Sequence, residues 1–64
     1  MWSLADQIKA EMKKIERDLE VQRKVITNSL GNGPVIEAAE LELKVLYTRQ
    51  AVLKGNLKKV EASS

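Results

Sequence analysis

The sequence predicts an all-α fold in which two helices form an antiparallel αα-hairpin, and in which hairpins assemble into a four-helix-type bundle by homo-oligomerisation. Leu, Ile, Val, Ala, Lys and Glu dominate the 64 residues, as is typical of long helices and coiled coils. Apolar residues recur at alternating spacings of three and four on both sides of a single break rich in Gly and Asn. After the break, two such apolar stripes run in parallel instead of one.

The first helix is predicted over residues ~3–30. Ser3 is a suitable N-cap because its hydroxyl can accept from N–H groups of the first turn, and the Asp6 carboxylate suits the positive end of the helix dipole. A single stripe follows, made of Ala5, Ile8, Met12, Ile15, Leu19, Gln22, Ile26 and Ser29. The opposite side is charged, so this helix needs only one partner.

The break predicts a turn at residues ~31–34. Gly31 can adopt the left-handed conformation that ends a helix, and Asn32 or Gly33 can cap the next one. Pro34 fits the first helical position, where its missing N–H costs nothing. A connection this short makes the two helices antiparallel neighbours.

The second helix is predicted over residues ~34–60, followed by a disordered tail at 61–64, in a single domain spanning 1–64. Its first stripe faces helix one, and we expect layers such as Leu19 on Leu46. Gln22 and Gln50 either reach water at the edges of their layers or hydrogen-bond across a multi-chain core. The members of this stripe are Ile36, Ala39, Leu43, Leu46, Gln50, Leu53, Leu57 and Val60.

A second stripe lies on nearly the opposite side of helix two. A hairpin can shelter only one side of this helix, so we expect the second side to be an oligomer interface. Gly55 costs an ordinary helix ~1 kcal/mol, which is explained either by another helix passing close by or by a fraying last turn. The predicted interface consists of Ala38, Leu41, Val45, Thr48, Val52 and Gly55.

Charge is unevenly distributed although the net charge is only +2. The open end of the hairpin is mainly basic and the turn end mainly acidic, which favours an antiparallel pair of hairpins. The basic residues also suggest an alternative function, in which nucleic acid is bound mainly through its phosphates. The possible contacts are Lys9, Lys13, Lys14, Arg17, Arg49, Lys54, Lys58 and Lys59.

In length, hairpin form and heptad pattern, the chain resembles the Rop family of plasmid copy-number repressors. The resemblance implies two hairpins paired in an antiparallel four-helix bundle, one face of which binds RNA. It covers architecture only, because no motif is shared and a shared fold does not transfer a function.

The composition excludes most chemistry. The chain has no Cys and no His, so disulfides, Cys/His metal sites and the common nucleophile–base pairs are ruled out. We therefore expect no enzyme activity, catalytic residue, metal or cofactor. No run of apolar residues is long enough for a membrane span, and Asp6 and Lys9 interrupt any secretory signal, so we expect a cytoplasmic protein.

These observations predict a small regulatory, adaptor or assembly factor that acts through protein–protein contacts, with itself as the first partner. The second stripe can instead bind a different protein of unknown identity. Trp2 either folds over the open end near Leu57 and Val60 or anchors a partner.

Overall fold

The computed structural model describes residues 3–63 and consists of two helices, α1 (Leu4–Asn28) and α2 (Gly33–Ser63). They pack side by side in an elongated body of 49 × 19 × 11 Å. The predicted all-α hairpin is therefore confirmed, whereas its assembly into a bundle needs further chains and stays a prediction. Neither described helix combines the length and the apolar character needed to cross a membrane. Trp2 and both of its predicted roles lie outside the described residues.

A reciprocal cap starts α1. The backbone N–H of Asp6 donates to Ser3 Oγ at 3.1 Å, and the Ser3 N–H donates to Asp6 Oδ2 at 3.4 Å. Two donors that the helix itself leaves without acceptors are thereby satisfied, and such a cap contributes ~1 kcal/mol. The prediction of Ser3 as N-cap is confirmed.

The turn shortens α1 by two residues relative to the sequence prediction. The Asn32 N–H donates to the Ser29 carbonyl at 2.9 Å and closes a β-turn. Gly31 occupies the third position of this turn with φ +90°, a conformation that favours glycine. Gly31 is left-handed as predicted, but it serves the β-turn and does not directly follow the helix, so α1 already ends at Asn28.

Asn32 caps α2. Its Oδ1 accepts from the Val35 N–H at 3.4 Å, and its carbonyl accepts from the Ile36 N–H at 3.1 Å. The helix begins at Gly33, so Pro34 occupies the second helical position and not the first. The missing N–H still costs nothing there, because the first four N–H groups of a helix have no intrahelical acceptor.

The structure corrects the far end of α2. Residues 61–63, assigned from the sequence to a disordered tail, continue the helix to Ser63, and Ser64 lies outside the described residues. No Gly or Pro follows Gly55, so nothing in the chain breaks the helix. The Ser63 hydroxyl donates to the Lys59 carbonyl at 2.8 Å and satisfies part of this last turn.

The core lies between the two stripes that the sequence placed face to face. Every member of both stripes is buried or half-buried, including Gln22 and Gln50. The central cluster is small: Ile15, Leu19 and Leu46 form it, with Leu43 and Leu53 packed against it. The residues with the least exposed surface are Ile8, Ile15, Leu19, Ala39 and Leu46.

Candidate interaction face

The second stripe of α2 faces solvent along its whole length. We call this surface the outer face of α2. Its large side chains keep more than half of their accessible surface, with Leu41 at 59%, Val45 at 55% and Val52 at 57%. All six predicted members, Ala38, Leu41, Val45, Thr48, Val52 and Gly55, are exposed in the hairpin. The described part of the chain therefore leaves uncovered the surface that the sequence predicts to be an interface.

Helix geometry explains why one helix has two apolar sides. At about 100° per residue, the mean directions of the two α2 stripes differ by roughly 150°. Helix α1 covers the first stripe of α2, from Ile36 to Val60, which we call the inner stripe. It cannot reach around α2 to the other side. The outer face runs from Ala38 to Gly55 and is about 26 Å long at the usual helical rise.

Shallow grooves join the outer face to the edge of the core. One groove of about 610 Å³ contains Val45, Thr48 and Val52 and reaches Leu53, which packs against the core. Glu11 of α1 and Arg49 of α2 are also part of its wall. A neighbouring groove of about 480 Å³ at the turn end includes Ala38 and Glu42 with Val25 of α1. The apolar surface thus has charged residues of both signs along its rim.

Thr48 is the polar member of the outer face, and its hydroxyl already has a partner. Thr48 Oγ1 donates to the Lys44 carbonyl of its own helix at 2.9 Å. Burial of a hydroxyl is costly mainly when its hydrogen bond is lost. Thr48 can therefore be covered by a neighbouring helix without leaving an unsatisfied donor.

Gly55 has no reason within the hairpin to be a glycine. A Cβ built at Gly55 meets nothing within 4 Å, and the residue has no positive φ. The helix continues through Ser63, so Gly55 is two turns away from the end and not in a fraying last turn. The cost of ~1 kcal/mol relative to Ala is thus not offset by any contact that the structure describes.

The basic residues proposed as nucleic-acid contacts are all exposed, but they are not gathered in one site. Lys9 and Lys13 border a depression that also contains Asp6. Lys59 borders another depression with Leu4 and Val60, and Arg49 lies on the rim of the outer face. The full set, spread over both helices, is Lys9, Lys13, Lys14, Arg17, Arg49, Lys54, Lys58 and Lys59.

Two features were missed by the sequence reasoning. Arg23 Nη2 donates to the Tyr47 hydroxyl and links the two helices outside the facing stripes. Glu11 joins the groove beside Val45 although it belongs to the other helix. Apolar periodicity reports which side of a helix is buried, but it does not report which polar side chains of a neighbouring helix come close.

Comparison of the chain with protein-family models, with curated proteins and with solved structures found no match.

Proposed function

We propose that this chain is a non-enzymatic interaction protein, a regulatory, adaptor or assembly factor, and that the outer face of α2 is its binding surface. The observation that carries the proposal is the alignment of Leu41, Val45 and Val52 on one exposed side of a helix. Scattered single hydrophobic residues are normal on protein surfaces, whereas contiguous apolar strips indicate contact sites.

The energetic balance of the hairpin supports this function. Burial of a large apolar side chain contributes roughly 1.5–3 kcal/mol. Small domains have stabilities of about 5–15 kcal/mol, so three such side chains per chain are a sizeable part of the total. Among residues 3–63, the buried core cluster consists of Ile15, Leu19 and Leu46. A partner over the outer face adds apolar burial that the hairpin alone lacks.

The simplest partner is a second copy of the chain, which gives a homodimer with four helices. The test is the mass in solution, measured by light scattering over a dilution series. We expect a dimer or larger species that dissociates on dilution. A folded chain that stays at 7.2 kDa at every concentration contradicts self-assembly. In that case the proposed partner of the outer face is a different protein, which is the second form of the same hypothesis.

Gly55→Ala is expected to have opposite effects on the hairpin and on the assembly. The free energy of unfolding of the separate hairpin rises by ~1 kcal/mol, because alanine is the better helix former and the added methyl group has open space. Self-association weakens by about 1–3 kcal/mol, because the same methyl group overpacks a close helix contact. Thermal unfolding of dilute protein measures the first effect, and sedimentation equilibrium measures the second. Unchanged or tighter association contradicts the close contact at Gly55.

Nucleic-acid binding is the alternative function, favoured by the exposure of all eight basic residues. Their separation by acids such as Asp6 and Glu11 argues against a continuous phosphate-binding surface. We expect no shift of labelled RNA or DNA in electrophoretic mobility assays, even at low salt, where phosphate contacts are strongest. A shift that disappears steeply as salt is raised supports the alternative instead.

A further inference from the structure

We propose that two copies of the chain meet through their outer faces with α2 antiparallel to α2, so that Glu42 of each copy faces Arg49 of the other. The inference rests on the proposed function and specifies its partner, direction and register. The two-fold axis passes the helix at the level between Leu46 and Tyr47, which is the midpoint of the outer face. Glu42 and Arg49 are both exposed, so they can face a second chain.

The residue sizes along the outer face are nearly symmetric about this midpoint. In the antiparallel register Ala38 faces Gly55, Leu41 faces Val52, and Val45 faces Thr48 of the second copy. Small residues therefore meet small ones at both ends, and the larger residues meet between them. A two-fold interface must be complementary to itself, and this order of residues satisfies that condition.

The outer face has two flanks: Glu42 and Arg49 lie on one, and Glu37, Lys44 and Lys58 lie on the other. Opposite charges meet on both flanks in the same antiparallel register. Arg49 borders the groove that contains Val45 and Val52, and Glu42 borders the neighbouring groove with Ala38. Helices in antiparallel contact bring equivalent flanks together, so Glu42 meets Arg49 of the second copy on one side. On the other side Glu37 meets Lys58. Each pair occurs twice because of the two-fold symmetry.

The parallel alternative places like charges together. In a parallel pair each flank meets the opposite flank of the second helix, five residues further along the chain. Glu37 then faces Glu42, and Lys44 faces Arg49, each contact again occurring twice. A single exposed charge pair contributes little to the free energy of association. The antiparallel dimer, however, has four attractive contacts where the parallel dimer has four repulsive ones, and this difference favours the antiparallel orientation.

Charge reversal at Glu42 distinguishes the orientations by the sign of its effect. In the antiparallel pair, Glu42→Arg places arginine against Arg49 at two positions, and we expect dimer affinity to fall on the order of tenfold. In a parallel pair the new arginine faces Glu37, so affinity rises. Sedimentation equilibrium of the full chain measures the change. Glu40→Arg is the matched control, because it makes the same change at an exposed position away from both flanks.

Mixing two variants provides the second readout. Arg49→Glu alone is also expected to weaken the dimer. When Glu42→Arg and Arg49→Glu chains are mixed, each arginine faces a glutamate again, so native mass spectrometry is expected to show mainly the mixed dimer. A statistical mixture, or tighter homodimers of either variant, overturns the antiparallel register while self-association stands. A wild-type chain that is monomeric throughout overturns the register and the self-association together.

Cysteine crosslinking tests the direction independently, since the chain contains no cysteine of its own. Glu37→Cys and Lys58→Cys chains are mixed and treated with a short bismaleimide. The antiparallel pair is expected to give crosslinks between the two different variants. Crosslinks formed mainly between two copies of the same variant overturn the antiparallel direction, because a parallel pair brings equivalent positions to the same level of the two helices.

Discussion

Val45→Glu is expected to reduce the solution mass to that of a single 7.2 kDa chain. Val45 lies near the middle of the outer face, so each dimer acquires two carboxylates close to its centre. Burial of an unpaired charge costs several kcal/mol, and the burial of two valines is lost as well. Since 1.4 kcal/mol corresponds to tenfold in affinity, we expect association to weaken by about a thousandfold or more. Light scattering over a dilution series measures the loss.

Val21→Glu is the matched control for this variant. Val21 has the same residue type and nearly the same exposure, 54% against 55% for Val45, but it lies on α1 and outside the outer face. We expect Val21→Glu to keep the wild-type mass. If both variants dissociate alike, added charge anywhere on the surface is enough, and the outer face loses its special role. Circular dichroism of both variants checks that each chain is still helical.

Leu46→Ala is expected to destabilise the hairpin itself. Leu46 keeps only 4% of its accessible surface and belongs to the central cluster with Ile15 and Leu19. Substitution of a buried leucine by alanine costs about 2–5 kcal/mol, because apolar contacts are lost and a cavity remains. For a small domain with one modest core, a loss of this size removes much of the stability. Urea unfolding followed by circular dichroism measures the change in the unfolding free energy.

Leu41→Ala provides the comparison on the opposite side of the same helix. Leu41 is 59% exposed in the hairpin, so its removal costs the separate hairpin little, and alanine is a good helix former. We expect Leu41→Ala to lower the unfolding free energy only at concentrations where chains associate. Leu46→Ala lowers stability at every concentration. Identical concentration dependence for the two variants contradicts the division of α2 into an inner and an outer face.

The number, type and approximate limits of the helices follow from local features of the sequence. Ser3 and Asn32 cap the helices as their side-chain chemistry predicts, and Gly31 adopts a positive φ. The inner stripes predicted the core, because a 3–4 spacing places residues on one side of a helix regardless of its neighbours. Leu46 and Ile15 are buried for that reason.

Two helix ends departed from prediction, and each has its own cause. Helix α1 ends at Asn28 because the bond from Asn32 to Ser29 closes a β-turn, and several turn geometries were compatible with the same residues. Helix α2 extends to Ser63 because nothing in its last turns breaks it, whereas position near a chain end had suggested disorder.

From the sequence alone, α2 was determined to be apolar on two sides, since helical periodicity needs no knowledge of a neighbour. Only the tertiary structure decided which polar side chains of one helix come close to the other. It brings Glu11 of α1 to the groove beside Val45 and joins Arg23 to Tyr47 by a hydrogen bond. The physical reason is that these contacts join residues far apart in the chain, whereas a repeat of three and four describes only one helix at a time.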